Sequence, residues 1–140
     1  YTGANRYGDR DDSVGGDDWV KPSVNAVLNH YAGIDWGDMS NMNGGNFIPH
    51  DGHRNGQEAD GFFVGYNARD AATAATIIGH LNDPGFGSRI TKVLVTYSLR
   101  PCDAFCKAIK GVTLDDGRAA AAVIRPAPKH DTHFHWYVTP

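Results

Sequence analysis

Five of the seven histidines of this chain lie in two short clusters that also contain acidic residues, and the clusters are far apart in the sequence. The first occupies residues 50–60, and the second occupies residues 130–135. Imidazole nitrogen and carboxylate oxygen are good zinc ligands, and a catalytic zinc site takes three protein ligands and keeps one position open. A fold that brings the clusters together would supply these ligands and leave other imidazoles for proton transfer. A histidine-rich surface and a structural metal site are the alternatives.

The composition is that of one soluble globular domain. With 140 residues, 41% hydrophobic and 21% charged, the chain is long enough to bury a core. We predict a single domain over residues 1–140, in which the polar residues 1–18 form an extended arm. The net charge of -3 provides no basic surface for nucleic acid or an anionic membrane. No apolar run approaches the roughly 18–20 residues of a membrane helix, so we expect no membrane span.

The two cysteines bear on the compartment of the protein. Cys102 and Cys106 follow Pro101 at a spacing that allows a small loop disulfide. A thiol pair or a pair of zinc ligands is the alternative, and a site of four cysteines is excluded within one chain. The disulfide is favoured, and it predicts a secreted, periplasmic or other extracellular protein. The chain begins at Tyr1 without a methionine or a signal-like segment, so we expect a processed chain or a piece of a larger precursor.

Apolar periodicity predicts two helices. Residues 19–31 carry apolar side chains at helical spacing, with Asp17 or Asp18 as the expected N-cap. Residues 70–81 are rich in alanine, and Asp70 stands at the position where a helix cap is expected.

Four segments have the composition of strands, namely residues 57–66, 90–97, 119–125 and 133–138. Residues 34–49 and 100–111 are expected to be loops, the second with a helical turn around Phe105. Because the strands cluster in the C-terminal half and do not alternate regularly with helices, we predict an α+β fold. Its expected form is a small antiparallel sheet with flanking helices and long loops.

The second cluster lies on a predicted strand, where alternate side chains share a face. His133 and His135 should therefore point the same way, while Phe134 and Trp136 enter the core. One histidine can then bind a metal while its neighbour stands beside the reacting water. Asp131 is a candidate for orienting one of the imidazoles.

The first cluster leads into a predicted strand. Asp60 lies near the start of that strand and His53 in the turn before it, and Gly56 allows the backbone to fold so that both side chains reach one point. Asp51 and Glu58 are expected to be solvated carboxylates, or carboxylates that support a ligand, rather than ligands themselves.

The spacings in both clusters resemble those of penicillin-insensitive murein endopeptidases. These enzymes belong to the group that joins lysostaphin-type peptidases, D-Ala-D-Ala metallopeptidases and the Sonic hedgehog amino-terminal domain. Their pattern is His-x-x-His-x-x-Gly-x-x-x-Asp, followed later by His-x-x-His-x-His. In this chain the pattern is formed by His50, His53, Gly56 and Asp60, then His130, His133 and His135.

The resemblance implies a hedgehog/DD-peptidase-like fold and a role for each residue of the motifs. The implied Zn2+ ligands are His53, Asp60 and His135. His133 is the implied general base, with His130 beside it, and His50 is a possible additional ligand near or on the metal. An imidazole in the position of the base can take a proton from water and return one to the leaving amine.

The expected function is that of a secreted, zinc-dependent metallopeptidase, of endopeptidase or carboxypeptidase type. Its expected substrate is a peptidoglycan peptide, cleaved at an amide bond of a cross-link or stem peptide, and we expect a monomer. The alternatives are a zinc-containing binding module without catalysis, as in hedgehog domains, and a peptidase acting on a non-murein peptide. The presence of both His130 and His133 favours an enzyme, since a binding module needs no general base. Carboxylate and imidazole ligands would also accept other divalent metals.

Overall fold

The computed structural model describes residues 1–3, 19–39 and 55–140, so most of the expected N-terminal arm lies outside it. The described ranges contain a five-stranded sheet, four α-helices and a 3-10 helix at Gly87–Arg89. The α-helices and strands are, in chain order, α1 (Pro22–His30), β1 (Asp35–Trp36), β2 (Glu58–Phe62), α2 (Ala71–Leu81), β3 (Ile90–Val95), α3 (Ala104–Ile109), α4 (Ala120–Val123), β4 (Ile124–Pro126) and β5 (Phe134–Val138).

The strands are arranged in the order β1-β2-β5-β3-β4, which puts β5 at the centre of the sheet. The pairings β1–β2, β2–β5 and β5–β3 are antiparallel, and β3 pairs with β4 in parallel. The predicted α+β class is confirmed, but the expectation of a purely antiparallel sheet is wrong at this edge. The chain between β3 and β4 contains α3 and α4, which provide the long crossover that parallel strands require.

The two helices predicted from periodicity are present, and the structure identifies their caps. The side chain of Asp70 accepts a hydrogen bond from the main chain in the first turn of α2, as predicted. Helix α1 begins at Pro22, a residue favoured in the first turn, and Lys21 occupies the cap position. The cap position therefore differs from the predicted one, because the helix starts later than its apolar pattern does, and Asp17 and Asp18 lie outside the described residues.

The strand predicted over residues 119–125 is wrong in its first part. Residues Ala120–Val123 form α4, and β4 begins only at Ile124. Successive alanines have the highest helix propensity, which explains why this stretch is helical despite its apolar character. The expected loop over residues 34–49 contains β1, whereas the helical turn predicted around Phe105 in residues 100–111 is present as α3.

Aromatic side chains fill the core on one face of the sheet. Trp36, Phe134 and Trp136 are fully buried, as predicted for the two residues of β5. The rings of Trp36 and Trp136 pack edge to face with centroids 5.0 Å apart. Gly61 makes this packing possible, because a Cβ at that position would overlap the rings of Phe134 and Trp36.

A glycine in the left-handed region leads the chain into β2. Gly56 has a φ of 68°, and a Cβ there would overlap the ring of Trp19. Its carbonyl oxygen accepts a hydrogen bond of 3.0 Å from the main-chain nitrogen of Lys21. This turn joins the start of α1 to the start of β2.

The cysteines form the disulfide that the sequence predicts. Cys102 and Cys106 are bonded at the start of α3, whose cap residue Asp103 accepts a hydrogen bond from the main-chain nitrogen of Cys106. Among the described helices, none is long and apolar enough to cross a membrane.

Candidate metal centre

The register between β2 and β5 brings residues of the two histidine clusters together. Asp60 lies opposite His135, and Glu58 lies opposite Tyr137. Because alternate residues of a strand share a face, all four side chains lie on the face of the sheet away from the aromatic core. Two segments that are remote in sequence thus meet in the middle of the sheet.

Asp60 lies between two imidazoles. Its Oδ1 atom is 3.0 Å from Nδ1 of His135, and its Oδ2 atom is 3.7 Å from Nε2 of His133. Asp60 is 3% exposed and His135 is 6% exposed, whereas the side chain of His133 is 25% exposed. The carboxylate is therefore buried, and the imidazole of His133 remains open to solvent or substrate.

Three side chains of this group could hold a metal ion. Asp60, His130 and His133 each offer one ligand atom, and these atoms all lie within 4.8 Å of one another. The ring of His130 is 5.4 Å from that of His133 and 5.8 Å from that of His135. Carboxylate and imidazole ligands suit several divalent metals, so this geometry does not select one.

Hydrogen bonding fixes the orientation of His130. Its Nδ1–H donates to the carbonyl oxygen of Pro128 at 2.6 Å, which leaves Nε2 directed away from the backbone. Metal-binding histidines commonly donate their second ring N–H in this way. Burial is the largest influence on the pKa of His130 and lowers it, which favours the neutral form of the ring, the one that binds a metal.

Tyr66 and Thr96 anchor the loop of residues 130–133, which carries His130 and His133. Sequence analysis did not identify either residue. The Tyr66 hydroxyl shares its one proton in a bifurcated hydrogen bond with the main-chain carbonyls of His130, at 2.9 Å, and His133, at 3.1 Å. The Thr96 hydroxyl accepts from the main-chain nitrogen of His130 at 2.7 Å and donates to the carbonyl of Ala127 at 2.6 Å. No local pattern predicts these contacts, since Tyr66 and Thr96 are distant from the loop in sequence.

Glu58 is a buried part of the group rather than a solvated carboxylate. It is 5% exposed, and its Oε1 atom is 3.1 Å from Nε2 of His135. The ring of His135 therefore lies between Glu58 and Asp60, with one nitrogen facing each. The sequence already indicated that Glu58 lies on the same side of the sheet as Asp60, because positions 58 and 60 of one strand must share a face.

The two carboxylates change the proton affinity of the side chains beside them. Burial acts to lower the pKa of His135, but contacts with Asp60 and Glu58 outweigh it, and the pKa is raised above its usual value. Burial and the Glu58 carboxylate raise the pKa of Tyr137 to about 12. Two buried carboxylates beside one buried imidazole form an environment that favours a bound cation.

The predicted site residues divide into those that the structure brings together and those that it does not describe. Asp60, His130, His133 and His135 meet in one group. His50 and His53 lie outside the described residues, so the predicted ligand set of His53, Asp60 and His135 stays a prediction. Asp131 is exposed, and it is the Thr132 hydroxyl that lies 3.2 Å from Nδ1 of His133.

Comparison of the sequence with models of known protein families, and with curated proteins, found no match. The functional assignment therefore depends on the chemistry and placement of the residues themselves.

A cavity of about 390 Å³ lies apart from the histidines, with a wall that includes Tyr97, Ile109 and Pro126. None of the histidines or carboxylates of the metal group lines this cavity.

Proposed function

We propose that this protein is a zinc-dependent metallopeptidase that hydrolyses amide bonds in the cross-links or stem peptides of peptidoglycan. The observation that carries the proposal is the meeting of the two clusters, in which Asp60 lies against both His133 and His135. The motif spacings that resemble those of murein endopeptidases supply the reaction class and the substrate. The proximity of Asp60 to His130, His133 and His135 supports a metal centre and is observed independently of the motif spacings.

The donor set suits the proposed metal. His53, Asp60 and His135 would hold the zinc ion, and the 3.0 Å separation between ring nitrogen and carboxylate oxygen is compatible with two ligands of one ion. When bound, zinc supplies a Lewis acid that polarises a carbonyl and activates water near neutral pH. His130 and His133 form the alternative donor set with Asp60, and ligand substitutions distinguish the two sets.

His133 is the proposed general base. Its Nε2 atom faces Asp60, next to the proposed metal position, and its partial exposure leaves room for a substrate. In this role the imidazole takes a proton from the attacking water and returns it to the leaving amine. Protonated His133 is transient, so the ring is neutral again when the amide bond has been cleaved.

His130 is the proposed partner of the base. Because its Nδ1–H is held by Pro128, Nε2 is the nitrogen that faces the other imidazoles. When the ring is protonated, its Nε2–H would donate a hydrogen bond to the oxyanion that develops at the substrate carbonyl. The anchors at Tyr66 and Thr96 support this role, since oxyanion stabilisation depends on donors held in place before the reaction.

The proposed location is extracellular or periplasmic, where peptidoglycan peptides are accessible. The Cys102–Cys106 disulfide is compatible with such an oxidising compartment. The net charge of -3 is consistent with a substrate other than nucleic acid.

Digestion of purified peptidoglycan tests the proposal. The wild-type protein would be incubated with the substrate alone, with a chelator, and with the chelator followed by excess zinc, and soluble muropeptides would be identified by mass spectrometry. We expect zinc-dependent release, which His133→Ala abolishes while zinc remains bound. His30→Ala is the matched control, because His30 is partly exposed and pairs with Asp83 instead of the metal group.

Two results would contradict the proposal. Zinc-loaded wild type that releases no muropeptide would favour a binding module or a different peptide substrate. A His133→Ala protein that keeps full activity would exclude His133 as the base.

A further inference from the structure

We propose that Glu58 is a positioning residue, which holds the Nε2–H group of His135 and thereby directs Nδ1 of that ring towards Asp60 and the metal. The inference rests on the proposed function for the identity of the metal and for His135 as one of its ligands. The juxtaposition of Glu58, His135 and Asp60 is itself a property of the β2–β5 pair.

The geometry assigns a different task to each ring nitrogen of His135. Oε1 of Glu58 is 3.1 Å from Nε2, and an ionised carboxylate can only accept a hydrogen bond, so Nε2 carries a proton. In the neutral ring, the lone pair is then on Nδ1, which faces Oδ1 of Asp60 at 3.0 Å. A lone pair and a carboxylate oxygen that face each other are stabilised by a cation between them, and metal binding requires the neutral ring.

The contact with His135 needs a side chain of the length of glutamate. The strand register places Glu58 opposite Tyr137, so its carboxylate reaches His135 diagonally across the pair. An aspartate at this position would be shorter by one carbon–carbon bond, about 1.5 Å. Glu58 is the only glutamate among the 16 acidic residues of the chain, and it stands where the additional length is used.

Neighbouring side chains hold Glu58 in this position. Glu58 lies opposite Tyr137 in the strand register, and its carboxylate contributes, after burial, to the raised pKa of the Tyr137 hydroxyl. Nζ of Lys92 lies 4.2 Å from the centre of the Tyr137 ring, which fixes that ring from its other side. The path from Lys92 through Tyr137 and Glu58 to His135 therefore runs across three neighbouring strands, β3, β5 and β2.

Three substitutions separate the reach of Glu58 from its charge. Glu58→Gln keeps the reach and an oxygen acceptor but removes the charge. Glu58→Asp keeps the charge but loses the reach, and Glu58→Ala loses both. Asp116→Asn serves as a control for the loss of one acidic charge, because Asp116 is an acid of the 115–118 turn and pairs with Arg118.

The first readout is zinc affinity, measured by competition with a chromophoric chelator after circular dichroism has established that each variant is folded. We expect Glu58→Asp and Glu58→Ala to weaken affinity by roughly 10–100-fold, the usual range for loss of a residue that orients a metal ligand. Glu58→Gln and Asp116→Asn should stay within about threefold of the wild type, since positioning depends on the hydrogen bond.

The second readout is the tautomer of the neutral His135 ring, measured on the metal-free protein at alkaline pH by two-bond proton–nitrogen NMR with labelled histidine. We expect the Nε2–H form in the wild type and in Glu58→Gln. In Glu58→Ala, the proton should move to Nδ1, where Asp60 accepts it. A merely structural role for Glu58 would leave this tautomer unchanged.

The outcomes distinguish this inference from the proposed function. A wild-type chain that binds no zinc would overturn the proposed function. Equal zinc affinities and equal tautomers in the wild type and in all three variants would overturn only the role of Glu58. If Glu58→Asp kept the zinc affinity of the wild type and Glu58→Gln bound zinc more weakly, the charge of Glu58 would explain its effect and its reach would not.

Discussion

The Tyr66 hydroxyl lies 2.9 Å from the main-chain carbonyl oxygen of His130 and holds a histidine that is 64 positions away in the sequence. The same hydroxyl also donates to the carbonyl of His133. One phenol therefore fixes the backbone of both imidazoles that the proposed mechanism uses.

We expect Tyr66→Phe to impair the site more than the fold. Loss of this bifurcated hydrogen bond should lower the free energy of unfolding by about 1 kcal/mol, the usual contribution of one hydrogen bond. His130 and His133 would lose their common anchor, so muropeptide release should fall by at least about tenfold, the effect of misplacing catalytic groups. Urea unfolding and the peptidoglycan assay measure the two effects.

Tyr97→Phe is the matched control for this substitution. The Tyr97 hydroxyl donates to the carbonyl of Ile124 at 3.0 Å, away from the histidines. We expect a similar small loss of stability with unchanged activity. Equal losses of activity in both variants would show that Tyr66 acts on the fold as a whole.

Asp60→Asn should remove most of the affinity for zinc. The substitution keeps the shape of the side chain but replaces a charged ligand at the centre of the group by a neutral amide. We expect zinc binding to weaken by more than about 100-fold in calorimetric titrations, beyond the range of a supporting residue. Asp131→Asn, in the exposed part of the same loop, should bind zinc like the wild type.

His80 should make the folded state sensitive to acid. It is largely buried at the end of α2, with its ring against Tyr31 and Trp136, and burial lowers its pKa from 6.5 to about 4 despite the opposing charge of Asp83. Since the folded state resists protonation and the unfolded state does not, the contribution of His80 to stability is complete above pH 6.5. It is lost as the pH falls from 6.5 towards 4 and amounts to at most about 3 kcal/mol.

Urea titrations at several pH values would measure this effect. We expect the free energy of unfolding to decline less steeply between pH 6.5 and pH 4 in His80→Gln than in the wild type. His30→Gln, at a partly exposed histidine, is the control and should retain the wild-type slope. Identical slopes for the wild type and His80→Gln would contradict the assignment.

The disulfide should stabilise the fold without contributing to the metal group. A Cys102→Ser, Cys106→Ser double variant should lose about 2 kcal/mol of stability, the value for so short a closed loop. Its zinc affinity should equal that of the wild type, because both sulfurs are engaged with each other. Weaker zinc binding by the double variant would restore the alternative in which the cysteines are ligands.

The sequence predicted what local patterns encode. The cap of α2 at Asp70 follows from the residue type. The burial of Phe134 and Trp136 follows from the alternation of side chains along a strand. The alanine-rich stretch before Ile124 misled the strand prediction, because an apolar run of this length is compatible with either a helix or a strand.

The proximity of Asp60 to the second histidine cluster was predictable from the sequence, whereas the contacts that anchor the loop of residues 130–133 were not. Motif spacing identified Asp60 and the histidines of the second cluster, which meet as expected. The contacts of Tyr66 and Thr96 depend on strand order and register, which no short segment specifies, whereas Glu58 was already expected near the site because it shares a strand face with Asp60.

The central position of β5 has a consequence for how the protein folds. Strands β2 and β3 do not pair with each other, and β5 joins them by contacts between residues remote in sequence. Such contacts have a high contact order, and their loop closure slows folding. We therefore expect the ability to capture a metal to appear only in the last kinetic phase, when β5 inserts and the two halves of the sheet become one.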